Sequence, residues 1–242
     1  MIKIKNLTAK IKDIEVLKNI NLEINYGEIH AVMGAGQSGK SSLIHAILGN
    51  PILEIEKGSI LYKSRSIAKK TIEQRSNLGI YATFQYLPSL DGITNLDLAK
   101  AIIKSHKIKK SSNQIEKEFK EIASKLGLSS NHGHKNVNDE TMTPTECKKN
   151  ELLHMMLINP EIIVLDELDN NVEDDEIESF ALTIKEFLDD KKKSAIIVTH
   201  NKPFLEIIKP THVNIMVNGT IQRKGSIKLL KRIVEDVNTQ LS

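Results

Sequence analysis

Cysteine occurs once in the 242 residues, at Cys147, which excludes an internal disulfide and any metal site built from several thiolates of one chain. No apolar run approaches the roughly 20 residues that a membrane-spanning helix needs. The opening Met1-Ile2-Lys3-Ile4-Lys5 alternates like a strand and lacks the apolar block of a secretion signal. These two absences lead to the expectation of a cytoplasmic protein with no direct membrane insertion. Charge of one sign is also lacking: 34 Lys and Arg against 31 Asp and Glu leave a formal net charge of +3. The lysines are interleaved with acids, as on a solvated face, so nucleic acid is not expected as a partner. Internal repeats and low-complexity stretches are missing too. What remains is 40% hydrophobic and 27% charged, enough for one large domain or a domain carrying an insert.

Residues 29–33, 162–165 and 195–199 are apolar almost without alternation, the pattern of strands buried on both faces. Residues 41–48 and 173–188 read as helices following the first two. Such alternation predicts an α/β fold with a mainly parallel sheet flanked by helices. Residues 1–7, 16–24 and 59–62 alternate instead, which predicts an antiparallel β layer beside it. From about residue 90 to 128 the pattern turns helical and polar, with apolar residues at helical spacing in 96–103 and 115–126. That block is expected to be an inserted helical subdomain.

Gly34-Ala35-Gly36-Gln37-Ser38-Gly39-Lys40-Ser41-Ser42 joins the first buried strand to the first helix. Gly-x-x-x-x-Gly-Lys-Ser in that context is a P-loop, whose amides and helix N-terminus hold phosphate oxygens. Lys40 is expected on the β- and γ-phosphates of ATP, and the Ser41 hydroxyl on Mg²⁺. A second strand ends in Asp166-Glu167. Asp166 there is a candidate for the Mg²⁺ shell, and Glu167 for the base that polarises the attacking water.

Gln85, in Phe84-Gln85-Tyr86, stands at the border of the helical insert, and His200 ends a later strand. The order P-loop, Gln85, insert, Asp166-Glu167, His200 resembles the ATP-binding-cassette (ABC) ATPases over essentially the whole chain. The resemblance implies an ABC-type P-loop NTPase in which Gln85 touches metal and water and His200 contacts the γ-phosphate. It assigns 1–88 and 157–242 to a RecA-like catalytic core with its antiparallel layer, and 89–156 to the helical subdomain. Within the family the likeness is to the SufC group, the ATPases of Suf iron–sulfur cluster assembly. The stretches that carry it are Gly27-Glu28-Ile29-His30-Ala31, Val137-Asn138, Leu165-Asp166-Glu167-Leu168-Asp169, Ile208-Lys209-Pro210-Thr211-His212, and Lys148 with Asn150. That likeness implies scaffold partners (SufB- and SufD-like) and an ATP-dependent homodimer, or a heterodimer with another cassette. It also puts Lys148 within reach of Glu167 or Asp169.

The departures from the family cluster. Transporter cassettes stack adenine on an aromatic shortly before the P-loop strand, and residues 8–16 hold none. Where the family presents Ser-Gly-Gly to a partner's nucleotide, this chain has Thr143-Pro144-Thr145, and where it has Ser-Gly-Leu-Asp, this chain has Asn170-Asn171-Val172-Glu173. Thr143-x-x-Glu146 is a capping box with Pro144 at the first helical position, so the helix is expected to survive while the anion nest is lost. Gln37 occupies a usual glycine position, with Gly36 beside it to absorb part of the backbone demand. Residues acting on the chain's own nucleotide are thus kept and those offered to a partner are eroded, which predicts firm ATP binding with slow hydrolysis. The same motifs also admit a transporter cassette or a nucleotide-gated structural subunit with negligible catalysis.

Overall fold

The computed structural model describes residues 1–83, 90–137, 140–170 and 172–229. Gln85, Asn138 and Asn171 lie outside them. The elements in chain order are β1 (Ile2–Ile11), β2 (Ile14–Ile24), β3 (Ile29–Met33), α1 (Lys40–Leu48), β4 (Glu54–Tyr62), β5 (Arg65–Ser66), α2 (Ile72–Ser76) and β6 (Ile80–Ala82). There follow β7 (Leu90–Thr94), α3 (Asn95–Ser105), α4 (Ser112–Lys125), a 3-10 turn His132–His134, β8 (Asn136–Val137) and α5 (Pro144–Ile158). The chain continues through β9 (Ile162–Asp166), α6 (Ile177–Leu188), β10 (Ser194–Val198), α7 (Lys202–Ile208), β11 (His212–Val217) and β12 (Thr220–Gly225).

Among the described residues the central sheet runs β12-β11-β3-β10-β9-β6, parallel except for the β11–β12 hairpin. All five residues of β9 are buried, as are all five of β10, because layers cover both faces of the sheet. One face packs with α1 against the antiparallel layer β2-β1-β4-β5, through Ile2, Ile4, Leu17, Leu22, Leu43 and Ile47. The other face packs on the helices through Phe119, Leu152, Leu165, Phe180 and Phe204. No helix among the described residues is long and apolar enough to cross a membrane.

Two local expectations are corrected by the structure. Residues 90–94 begin the polar block as a strand, paired with β8 through Leu90 and Val137. The second predicted helix starts at Ile177 instead of 173, because residues 174–176 form a turn closed by the Glu176 N–H on Glu173 O at 2.9 Å.

Candidate functional site: a phosphate cradle at the carboxyl edge of the sheet

Three parallel strands deliver the chemistry to one edge. β3 runs into the loop 34–39, β9 ends at Asp166, and His200 lies just beyond β10, with Asp166 paired in register to Val198. Gly34 permits the turn out of β3: a Cβ there would stand 2.3 Å from Met216 O and 2.6 Å from Ser38 Oγ. Gly39 caps α1 at φ 102, a conformation that favours glycine. Gln37 itself adopts φ 62, whereas Gly36 is not among the positive-φ glycines. The left-handed demand therefore falls on the glutamine, and Gly36 does not absorb it. The strain is about 1 kcal/mol.

The Lys40 ammonium is folded back on the loop, donating to Gly34 O at 2.7 Å and Ala35 O at 3.0 Å. Two oxygens nearby are buried without a hydrogen-bond partner among the described residues, Ser38 Oγ and Asp166 Oδ1. Burial raises the Asp166 carboxyl to about 6, with the neighbouring Glu167 adding to the effect and Lys40 and Lys148 opposing it. A buried acid of raised pKa with an orphaned oxygen is suited to a cation partner. Hard oxygen donors of that kind suit Mg²⁺, and with the exposed Ser41 hydroxyl at the start of α1 the residues present fit a Mg²⁺–phosphate group. Ala35, Gly36 and Ser42 complete the loop and first turn. A cleft of about 510 Å³, lined by Ile14, Val16, Gln37, Gly39, Ser41, Ser42 and Gly219, opens beside it.

Glu167 turns out of β9 at φ 50, its N–H held by Val198 O at 2.9 Å. Its carboxylate accepts from Asn170 Nδ2 at 2.9 Å. Asn170 escaped the sequence reading as a functional residue, although its place three residues after Glu167 marks a turn able to bring the two side chains together. Asp169 is buried and accepts from Thr199 Oγ1 at 2.6 Å. Lys148 Nζ lies 3.6 Å from Glu151 Oε2, one turn along its own helix, and its charge also acts on Asp166. Asn150 is structural, donating to Asn95 Oδ1 at 2.8 Å and standing 2.9 Å from His132 Nε2. Thr83 ties β6 to the end of β9 through Val164 O and the Asp166 N–H. Gln85, two residues further, is outside the described residues.

The capping box at the start of α5 is formed as expected. Thr143 Oγ1 accepts from the Glu146 N–H at 3.1 Å, and the Thr143 N–H donates to Glu146 Oε2 at 3.0 Å. Pro144 occupies the first helical position and offers no N–H.

The family profile described as "ABC transporter" matches residues 17–170. A probable ATP-dependent transporter, ycf16, of Cyanophora paradoxa is 32% identical, over 96% of this chain and 91% of its own length. The iron–sulfur cluster assembly protein SufC of Plasmodium falciparum is 37% identical, over 90% of this chain and 64% of that one. A solved dimeric bacterial ABC transporter cassette superposes with a TM-score of 0.81 at 19% identity, covering 94% of this chain and 99% of that one. At that identity the superposition bears on the fold alone.

Proposed function

The chain belongs to the ATP-binding-cassette ATPases, as one of their SufC type, and from this we propose that it is the ATP-binding and hydrolysing subunit of a Suf-type iron–sulfur cluster assembly complex. In this reading ATP-dependent dimerisation of the cassette remodels SufB- and SufD-like scaffold partners. Residues 1–88 and 157–242 handle nucleotide, and 89–156 form the helical subdomain that faces the partner. The single observation that supports it most is the unsatisfied pair Ser38 Oγ and Asp166 Oδ1 beside the Lys40 ammonium.

Bound phosphate would draw the Lys40 ammonium from the Gly34 and Ala35 carbonyls onto the β- and γ-phosphate oxygens. The amides of residues 35–40 and the N-terminus of α1 add dipolar attraction. Ser41, Asp166 and Gln85 are assigned to Mg²⁺, which supplies charge neutralisation at the transferring phosphate. Glu167 orients and deprotonates the attacking water, with Asn170 holding its carboxylate, and His200 is assigned to the γ-phosphate. Residues 8–16 offer adenine no aromatic to stack on. Ile14, 71% exposed on the rim of the cleft, offers it an aliphatic face.

Hydrolysis by the isolated subunit should be slow, because Thr143 is committed to its cap and Pro144 has no donor for a facing nucleotide. Losing transition-state donors of this kind costs on the order of 100-fold each. The test is a pull-down with and without Mg-ATP, followed by phosphate release on adding the captured partner. Soluble scaffold subunits retained in an ATP-sensitive way, with faster turnover when they are present, support the reading. A membrane-spanning partner would replace it with a transporter cassette. Assembly unchanged in Glu167→Gln, with no phosphate release in the parent, would replace it with a nucleotide-gated structural subunit.

A further inference from the structure

At the edge of the sheet opposite the P-loop, three side chains that the nucleotide chemistry does not use converge. His30 and His212 are register partners on the parallel strands β3 and β11, and Glu28 directly precedes β3. The two imidazoles stack with centroids 4.4 Å apart and planes 17° apart. His30 Nε2 stands 2.9 Å from Glu28 Oε2. One ligand atom from each of the three residues lies within 4.8 Å of the other two.

The surrounding hydrogen bonds decide where the lone pairs are. Thr211 Oγ1 donates its one hydrogen to Ile29 O at 3.0 Å. Its remaining partners, the Ile29 N–H at 2.9 Å and His212 Nδ1 at 2.9 Å, must therefore donate to it. His212 consequently carries its hydrogen on Nδ1 and presents a lone pair at Nε2. Asn214 Nδ2 lies 3.3 Å from His30 Nδ1 and 3.4 Å from Ala31 O, so His30 accepts at Nδ1 and points its hydrogen from Nε2 at Glu28; an ion between the two would take the place of that hydrogen. Glu28 is anchored by the Asn25 N–H at 2.8 Å and Asn25 Nδ2 at 3.1 Å. Each of the three groups is thus oriented by a neighbour, as ligands of resident metals are.

We propose that Glu28, His30 and His212 form a binding site for a divalent transition-metal ion of the Zn²⁺ class. Two imidazoles and a carboxylate suit Zn²⁺, Co²⁺ or Ni²⁺ better than Mg²⁺ or Ca²⁺, which take oxygen donors. Bonds of about 2.0–2.2 Å at tetrahedral angles put ligand atoms roughly 3.3 Å apart. The three ligand atoms already lie within 4.8 Å of one another, and a turn of the stacked imidazoles would bring their nitrogens to face one ion. His212 is exposed, which gives the ion an entry path and leaves a fourth position to water. The nearby Lys224 ammonium, held on Asn21 O at 2.6 Å, opposes the ion and limits its affinity. Occupancy would clasp β3 to β11, the strands whose other ends carry Gly34 and Met216 against each other in the nucleotide cradle.

The test uses untagged full-length protein, stripped with chelator, in excess Mg²⁺ to mask hard-oxygen sites, and titrated with Co²⁺. One equivalent should bind with a visible ligand-field spectrum and no thiolate charge-transfer band. Zn²⁺ should displace it and raise the melting temperature. His212→Ala, at an exposed position, should keep the fold and the affinity for ATP while weakening Zn²⁺ binding at least tenfold. Glu28→Gln gives a second reading in case the buried His30→Gln does not fold. Zn²⁺ affinity equal in the parent and His212→Ala, or no stoichiometric Co²⁺ spectrum in the parent, would overturn the proposal and leave the cluster a hydrogen-bonded fastening between strands.

Discussion

Replacing Pro144 by alanine or glycine separates two things that a signature loop supplies to a facing nucleotide, a hydrogen-bond donor and room for close approach. Thr143 Oγ1 is taken by the Glu146 N–H at 3.1 Å, and position 144, next along the helix, has no hydrogen to offer. Alanine restores the N–H and keeps a Cβ, whereas glycine restores the N–H and removes the Cβ. One recovered transition-state donor is worth about 2.7 kcal/mol, or on the order of 100-fold in kcat. The stability cost is small, about 0.5–1 kcal/mol for a proline lost at a compatible position, and the capping box stays. The assay is phosphate release at saturating Mg-ATP, at protein concentrations where ATP-dependent dimers form. Equal gains in Pro144→Ala and Pro144→Gly identify the donor as limiting. A gain in Pro144→Gly alone identifies the close approach. If neither variant moves kcat by more than about threefold, the helix start is not what slows hydrolysis, and the reasoning from lost donors fails.

Three other outcomes are expected. His154 is buried with neither ring nitrogen hydrogen-bonded among the described residues, and burial presses its pKa to about 3. Its folded value is below the unfolded one near 6.5, so its contribution is intact above pH ~6.5 and is lost at about 1.4 kcal/mol per pH unit as pH falls toward 3. Denaturant titrations of His154→Leu should lack that slope, and a pH profile identical to the parent's would refute it. Arg75 is 1% exposed and donates to Ala46 O, Ile47 O, Lys70 O and Ala68 O, closing the carboxyl end of the P-loop helix. Arg75→Met should cost about 3 kcal/mol in the same titrations, and Arg75→Lys should recover less than half of that, since a point charge cannot serve four carbonyls at once. Ile14→Tyr should tighten ATP about fivefold, or ~1 kcal/mol, by giving adenine an aromatic face; an unchanged affinity in a fluorescent-nucleotide titration would place the base elsewhere.

What could be read in advance follows from the range of the forces involved. β3, β9 and β10 are legible to within a residue because both their faces are covered, so burial leaves an unbroken apolar run with no competing pattern. The P-loop is legible because its chemistry is carried by consecutive residues. The strand at 90–94 was missed because its partner is β8, more than 40 residues on, and nothing in Leu90–Thr94 announces that pairing. Gln37 was misjudged for a different reason: a neighbouring glycine does not transfer its conformational freedom along the chain, because each residue must satisfy its own φ. The pairing of Glu28 and His30 with His212 was invisible for lack of sequence proximity, although each residue was on the page.

The start of α5 shows how a subunit can gain in itself what its assembly loses. A serine and two glycines at a helix N-terminus leave the first-turn N–H groups aimed outward, which is costly for an isolated chain. Threonine at the cap, proline at the first position and glutamate at the third satisfy the helix from within; the cap alone is worth about 1 kcal/mol. The same bonds consume the groups that a second cassette would need across the nucleotide. A homodimer would carry this deficit in both sites, whereas pairing with a cassette that retains its glycines would confine it to one. Hydrolysis measured with each kind of partner at equal ATP occupancy distinguishes the two arrangements, and equal rates would mean that the facing helix contributes nothing to the transition state.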